Sequence, residues 1–133
     1  MGSEALRILI VDDHEDTAEM LSMLLTGKGH DTQVALDGTA ALVAAAAFLP
    51  HLGLLDLSLP GMSGYELAQR LRAMPGLARI RLVAVTGHGS EGHRMRARSA
   101  GFNDHLLKSA LAIFVTFRWA EHRGMRAQRS RVV

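Results

Sequence analysis

Apolar residues along this chain come in short blocks that alternate between two spacings. Arg7-Ile8-Leu9-Ile10-Val11 is a continuous aliphatic run ending at Asp12-Asp13, the pattern of a strand buried on both faces. Between residues 14 and 26, Ala18, Leu21, Leu24 and Leu25 recur at helical intervals, and Gly27 and Gly29 stop the helix. Thr32–Ala35 reads as a weak strand. Asp37-Gly38 makes a turn, and Thr39–Phe48 is an alanine-rich helix that ends before Pro50. Leu52–Asp56 is a second buried strand with an acid at its end. Pro60–Gly64 is a loop, followed by a helix from Tyr65 to about Ala73. Arg81–Thr86 is a third buried strand, and Gly87-His88-Gly89 is its exit. Glu91–Ala100 is an arginine-rich helix capped by Gly101, and Asp104–Lys108 is the last strand of the set. The order βαβαβαβαβ with short connections predicts an α/β fold: a parallel sheet with helices on both faces.

Bulk properties narrow the class. A chain of 133 residues with 48% hydrophobic and 21% charged residues fits one globular domain. The absence of cysteine removes disulfides, thiolate metal sites and cysteine nucleophiles, and agrees with a reducing cytoplasm. Every apolar run is far shorter than the roughly 20 residues needed to span a bilayer, so no membrane association is expected. The net charge of +2 hides an asymmetry. Residues 1–66 carry ten acids against two bases, and residues 67–133 carry three acids against thirteen bases. An acidic half suits cation binding, and a basic half suits phosphate, nucleic acid or an acidic partner.

In such sheets the working site lies outside the carboxyl ends of the strands. Strand ends here carry Asp12-Asp13, Asp56 and Thr86, and the last strand ends in Lys108. Either aspartate of the first pair could simply cap the following helix, but acids gathered at one sheet edge call for a neutraliser. A hard divalent cation with oxygen ligands, Mg²⁺, is the simplest one. The seven histidines show no tight ligand spacing, so no separate transition-metal site is expected. No phosphate-binding glycine loop or nucleophile elbow is present.

Ile8–Asp13, Leu54–Gly64, Val85-Thr86 and Leu107-Lys108, taken in order, resemble response-regulator receiver domains, CheY-like in type. From Gly64 to Lys108 the likeness is greatest to receivers of hybrid sensor histidine kinases. The resemblance covers residues 7–108. It implies a flavodoxin-like, doubly wound sheet of five parallel strands in the order 2-1-3-4-5. It also implies a two-component phosphoacceptor in which Asp56 takes the phosphoryl group from a phosphohistidine of a histidine kinase or phosphotransfer protein. Asp13 and Asp56 would bind Mg²⁺ with the Ser58 carbonyl, and Asp12 would act mainly through water. Lys108 and the Thr86 hydroxyl would hold phosphoryl oxygens. Thr86 would also act as a switch together with His105, which stands where receivers carry an aromatic. A carboxylate can serve as nucleophile, and catalysis of such transfers is positioning and electrostatics. Such a domain is not a metabolic enzyme; it catalyses only its own phosphorylation and dephosphorylation.

Two features depart from that pattern. Receivers usually carry proline after the strand-end lysine, often with a cis bond before it. Ser109 stands there, and cis before serine would cost about 2.5–4 kcal/mol, so a trans bond is expected. Residues 110–119 are apolar all round, with no clean helical face and with substantial strand propensity. Residues 123–133 then add four arginines and no acid. The chain therefore divides into a receiver core, 1–108, and an atypical carboxyl-terminal segment, 109–133, that replaces or modifies the last helix. An exposed apolar run of that size needs a partner, either as a helix whose excess apolar surface forms a dimer interface or as an extended run pairing with another chain, and a homodimer through this segment is expected. Two rival readings are a receiver-like scaffold that takes no phosphate and a basic nucleic-acid-binding protein. The second lacks both an aromatic stacking platform and a DNA-reading motif.

Overall fold

The computed structural model describes residues 5–87 and 91–107, with the backbone alone for 91–94. Five strands alternate with four helices: β1 (Arg7–Val11), α1 (Glu15–Gly27), β2 (Asp31–Ala35), α2 (Gly38–Phe48), β3 (Leu52–Asp56), α3 (Gly64–Arg72), β4 (Arg81–Thr86), α4 (Glu91–Ser99) and β5 (Asp104–Leu107). All strand pairs are parallel, and the order across the sheet is β2-β1-β3-β4-β5. The expected flavodoxin-like topology is therefore found. Lys108, the Lys108–Ser109 bond, His88 and the whole segment 109–133, with its expected dimer contact, lie outside the described residues.

The three continuous apolar runs become the three central strands. β1, β3 and β4 are buried along nearly their whole length, while β2 alternates buried and exposed positions and β5 is half-exposed. A central strand is covered on both faces and must be apolar at every position; an edge strand need not be. One core, formed by Leu9, Val11, Leu55, Leu82 and Ala84, packs against α2, α3 and α4 residues such as Ala41, Leu67, Leu71 and Ala97. On the opposite face Ile8, Ile10, Leu52, Leu54, Val83 and Val85 pack with Ala18, Leu21 and Leu25 of α1. The chain therefore changes faces after α1. That change makes a switch point between β1 and β3, where a crevice opens at the strand ends.

Histidines finish the far edge of the sheet. His30 Nδ1 accepts the Leu6 amide at 3.2 Å and His51 Nδ1 accepts the Arg7 amide at 2.9 Å, satisfying donors that begin β1. At the same edge, beneath β4 and β5, Arg72, the last residue of α3, donates to the carbonyls of Gly101 and Ile80 and to Asn103 Oδ1. This holds the α4–β5 connection against the sheet.

Candidate functional site

Parallel register is what gathers the acids. Val11 pairs with Leu55, so Asp12, the next residue, leaves the sheet at the level where Asp56 ends β3. Asp56 pairs in turn with Val85, which puts Thr86 one step beyond it on β4. Thr86 pairs with Leu107 on β5, the residue before Lys108. The sequence-expected Asp12, Asp13, Asp56 and Thr86 therefore meet at the carboxyl edge, beside the switch point.

Asp12 and Asp56 are buried, at 3% and 6% exposure, while Asp13 is open to solvent. Asp12 Oδ1 accepts the His14 amide at 2.9 Å, and Asp56 Oδ1 accepts the Ser58 amide at 3.0 Å. Each aspartate thus turns the chain out of its strand by a local Asx-type bond. Capping does not account for the pair. His14, not an aspartate, occupies the N-cap of α1, and no side chain makes a cap hydrogen bond there.

One ligand atom from each of Asp12, Asp13, His14 and Asp56 can be chosen so that all lie within 4.8 Å of one another. Two unit charges 4 Å apart repel by roughly 4 kcal/mol in an effective dielectric of about 20, a repulsion that a cation bound there would relieve. The three carboxylates suit a hard one: around an octahedral ion with bonds of about 2.1 Å, ligand atoms lie about 3 Å apart when adjacent and about 4.2 Å apart when opposite.

The loop after β3 is held tightly against the acceptor strand. Gly64 starts α3, and its amide donates to the Leu57 carbonyl at 3.0 Å. A Cβ on Gly64 would collide with the Asp56 carbonyl oxygen and come within 2.8 Å of Leu57 Cα. Ser63 caps the helix by accepting the Glu66 amide at 3.2 Å. Gly64 was visible in the sequence only as part of a loop motif; its steric reason appears only when α3 is laid back over the end of β3.

His105 is half-buried on β5, next to Ala84. It lines a groove with Ala97, Arg98, Phe102 and Asp104 between α4 and β5. It is therefore not a simple exposed edge residue. Thr86, two residues beyond Ala84 on β4, shares that face of the sheet. Arg96 of α4 stacks over the Tyr65 ring at 4.1 Å from its centroid, tying α4 to α3.

Comparison with known proteins agrees with this geometry. The family model of the response regulator receiver domain matches residues 8–112. Over 80 residues, 60% of this chain, the sequence is 50% identical to the DNA-binding response regulator MtrA of Mycolicibacterium paratuberculosis, of which it spans 36%. Over 102 residues, 77% of this chain, it is 36% identical to the response regulator PleD of Caulobacter vibrioides, of which it spans 22%. The chain thus spans about a third or less of these relatives. Among solved structures, the receiver domain of the sensor histidine kinase PA1611 from Pseudomonas aeruginosa superposes with a TM-score of 0.78 at 25% identity, covering 88% of this chain and 96% of that one. That structure holds a magnesium ion in its active-site cleft. A CheY-like receiver domain protein from Methanospirillum hungatei shares the fold, with a TM-score of 0.80 at 23% identity over 96% of this chain and 99% of its own.

Proposed function

The chain belongs to the response regulator receiver domain family, a phosphoacceptor of two-component signalling, and from that premise we propose that Asp56 is the residue that takes the phosphoryl group. The observation that carries this reading is the meeting of buried Asp56 with Asp12 and Asp13 at the crevice beside the switch point.

An oxygen of the Asp56 carboxylate attacks the phosphorus of a phosphohistidine on a histidine kinase or phosphotransfer protein. The P–O bond forms as the P–N bond breaks, and the electron pair leaves on the imidazole nitrogen, which takes up a proton. Asp13, Asp56 and the Ser58 carbonyl would hold Mg²⁺ directly, with Asp12 acting mainly through water. When bound, the ion neutralises charge on the transferring group. The Thr86 hydroxyl and Lys108 hold phosphoryl oxygens. Thr86, drawn toward the acyl phosphate, biases the α4–β5 surface through His105, which shares its face of the sheet. The domain catalyses only its own phosphorylation and dephosphorylation and works in the cytoplasm. Among the described residues no helix is long and apolar enough to cross a membrane.

Incubation with a small acyl-phosphate donor tests this reading. A Mg²⁺-dependent mass gain of one phosphoryl group, absent in Asp56→Asn, is expected. A folded wild-type protein that gains nothing would instead support the scaffold reading.

A further inference from the structure

His14 is the one member of the cluster that the phosphoryl chemistry does not use; among the described residues its ring nitrogen is engaged only with the two acids beside it. It sits at the N-cap of α1 without capping it, at a position where Ser, Thr, Asp or Asn would stabilise the helix by about 1 kcal/mol. Its side chain is 67% exposed, so packing does not explain it either. Its Nδ1 nevertheless lies 3.2 Å from Asp12 Oδ1 and 3.3 Å from Asp13 Oδ1, within the same 4.8 Å set of ligand atoms as Asp56. Those spacings match the separation of adjacent ligands around one ion.

We infer that His14 is a nitrogen ligand of the acidic site, so that this receiver takes first-row transition-metal ions, above all borderline ones such as Co²⁺ or Ni²⁺, at its phosphoacceptor crevice more tightly than Mg²⁺. The inference rests on the reading of Asp12, Asp13 and Asp56 as the cation site. Without an ion, Nδ1–H faces the two carboxylates as a hydrogen-bond donor; with an ion bound, the tautomer protonated on Nε2 would present the Nδ1 lone pair to it instead. Carboxylates and carbonyls alone suit Mg²⁺, whereas an added imidazole gains most with ions later in the divalent series. Exposure of His14 helps here, since the ring can turn a few tenths of an ångström inward without disturbing the core.

The test is Mn²⁺ binding followed by electron paramagnetic resonance on the wild type, His14→Gln and Asp13→Asn. The wild type should bind one Mn²⁺ at the site and show, by pulsed methods, a directly coordinated ¹⁴N. His14→Gln should still bind Mn²⁺ but lose the nitrogen coupling, and Asp13→Asn should lose the bound ion. In parallel, calorimetry should show His14→Gln lowering Ni²⁺ affinity about tenfold or more while Mg²⁺ affinity changes less than about threefold. Bound Mn²⁺ without a coordinated nitrogen in the wild type would overturn the role of His14 while leaving the acidic site intact. Equal weakening of Ni²⁺ and Mg²⁺ would do the same. No Mn²⁺ binding in the folded wild type would overturn both the inference and the cation site beneath it.

Discussion

Truncating Arg72 probes how the α4–β5 connection is held. Its Nε and Nη2 donate to the Gly101 carbonyl at 2.9 and 2.6 Å, and its Nη1 donates to the Ile80 carbonyl at 2.8 Å. Nη2 also reaches Asn103 Oδ1 at 2.7 Å, an atom that accepts the Leu82 amide at 2.8 Å as well. Burial first and the nearby Arg81 charge second lower the Arg72 pKa from its ordinary value. Hydrogen bonds to a charged donor contribute about 1.5–3 kcal/mol each. These share one side chain, so they do not add, and solvent reaches part of the guanidinium. Arg72→Met, which keeps the apolar stem, should therefore cost about 2–4 kcal/mol, against a total stability of about 5–15 kcal/mol. At roughly 4 °C per kcal/mol for a domain of this size, Tm should fall by about 8–16 °C. Urea unfolding should show a matching drop at unchanged m. Arg72→Lys should recover less than half, because one ammonium cannot reproduce the fork. Amide exchange at Phe102 and Asn103 should accelerate in both variants. A Tm change under about 3 °C in Arg72→Met would refute the reasoning, showing that water replaces the whole network.

Other consequences follow from the same geometry. Gly64→Ala should cost about 1–3 kcal/mol or more in urea unfolding and slow phosphoryl uptake measured by mass, because the new Cβ meets the Asp56 backbone; unchanged rate and stability would count against the close approach. Burial, and then the Lys28 charge, hold the His30 pKa below its ordinary value, so the native state keeps His30 neutral. The unfolded chain then binds more protons as pH falls through about 6.5. Its stabilising effect is present above that pH and is lost progressively below it, and the fall in urea midpoint between pH 7.5 and 5.5 should be smaller in His30→Asn. Asp37→Ala removes the cap on the Ala40 amide at 2.8 Å and should cost about 1 kcal/mol by thermal unfolding. Saturating Mg²⁺ should raise Tm, by about 2.7 kcal/mol of linkage at a hundredfold excess over Kd, and removal by chelator or Asp13→Asn should abolish the gain.

Much of the fold was legible because burial on two faces leaves a plain mark. The runs at 7–11, 52–56 and 81–86 are the three central strands within one residue of their expected ends. β2 was weaker in the sequence because it is an edge strand with only alternate positions covered. Helix starts were less exact: α2 begins at Gly38 and α3 at Gly64, each one residue earlier than expected, because caps at Asp37 and Ser63 set them. The strand order was not available from periodicity and came with the family resemblance. The acids were legible as strand-end residues, since any parallel sheet gathers those ends at one edge. His14 was not, because the sequence shows it only as a histidine beside Asp12 and Asp13, and its reach toward Asp56 exists only after β1 and β3 pair. Gly64 was hidden for the same reason.

The most direct test of the central claim is to locate the acyl phosphate. Protein treated with a small acyl-phosphate donor and Mg²⁺ is reduced with borohydride, which converts an aspartyl phosphate to homoserine, and the site is read by tandem mass spectrometry. Homoserine at position 56, absent without Mg²⁺, is the predicted result. Homoserine at position 12 or 13, or at none of the three in a folded protein, would contradict it.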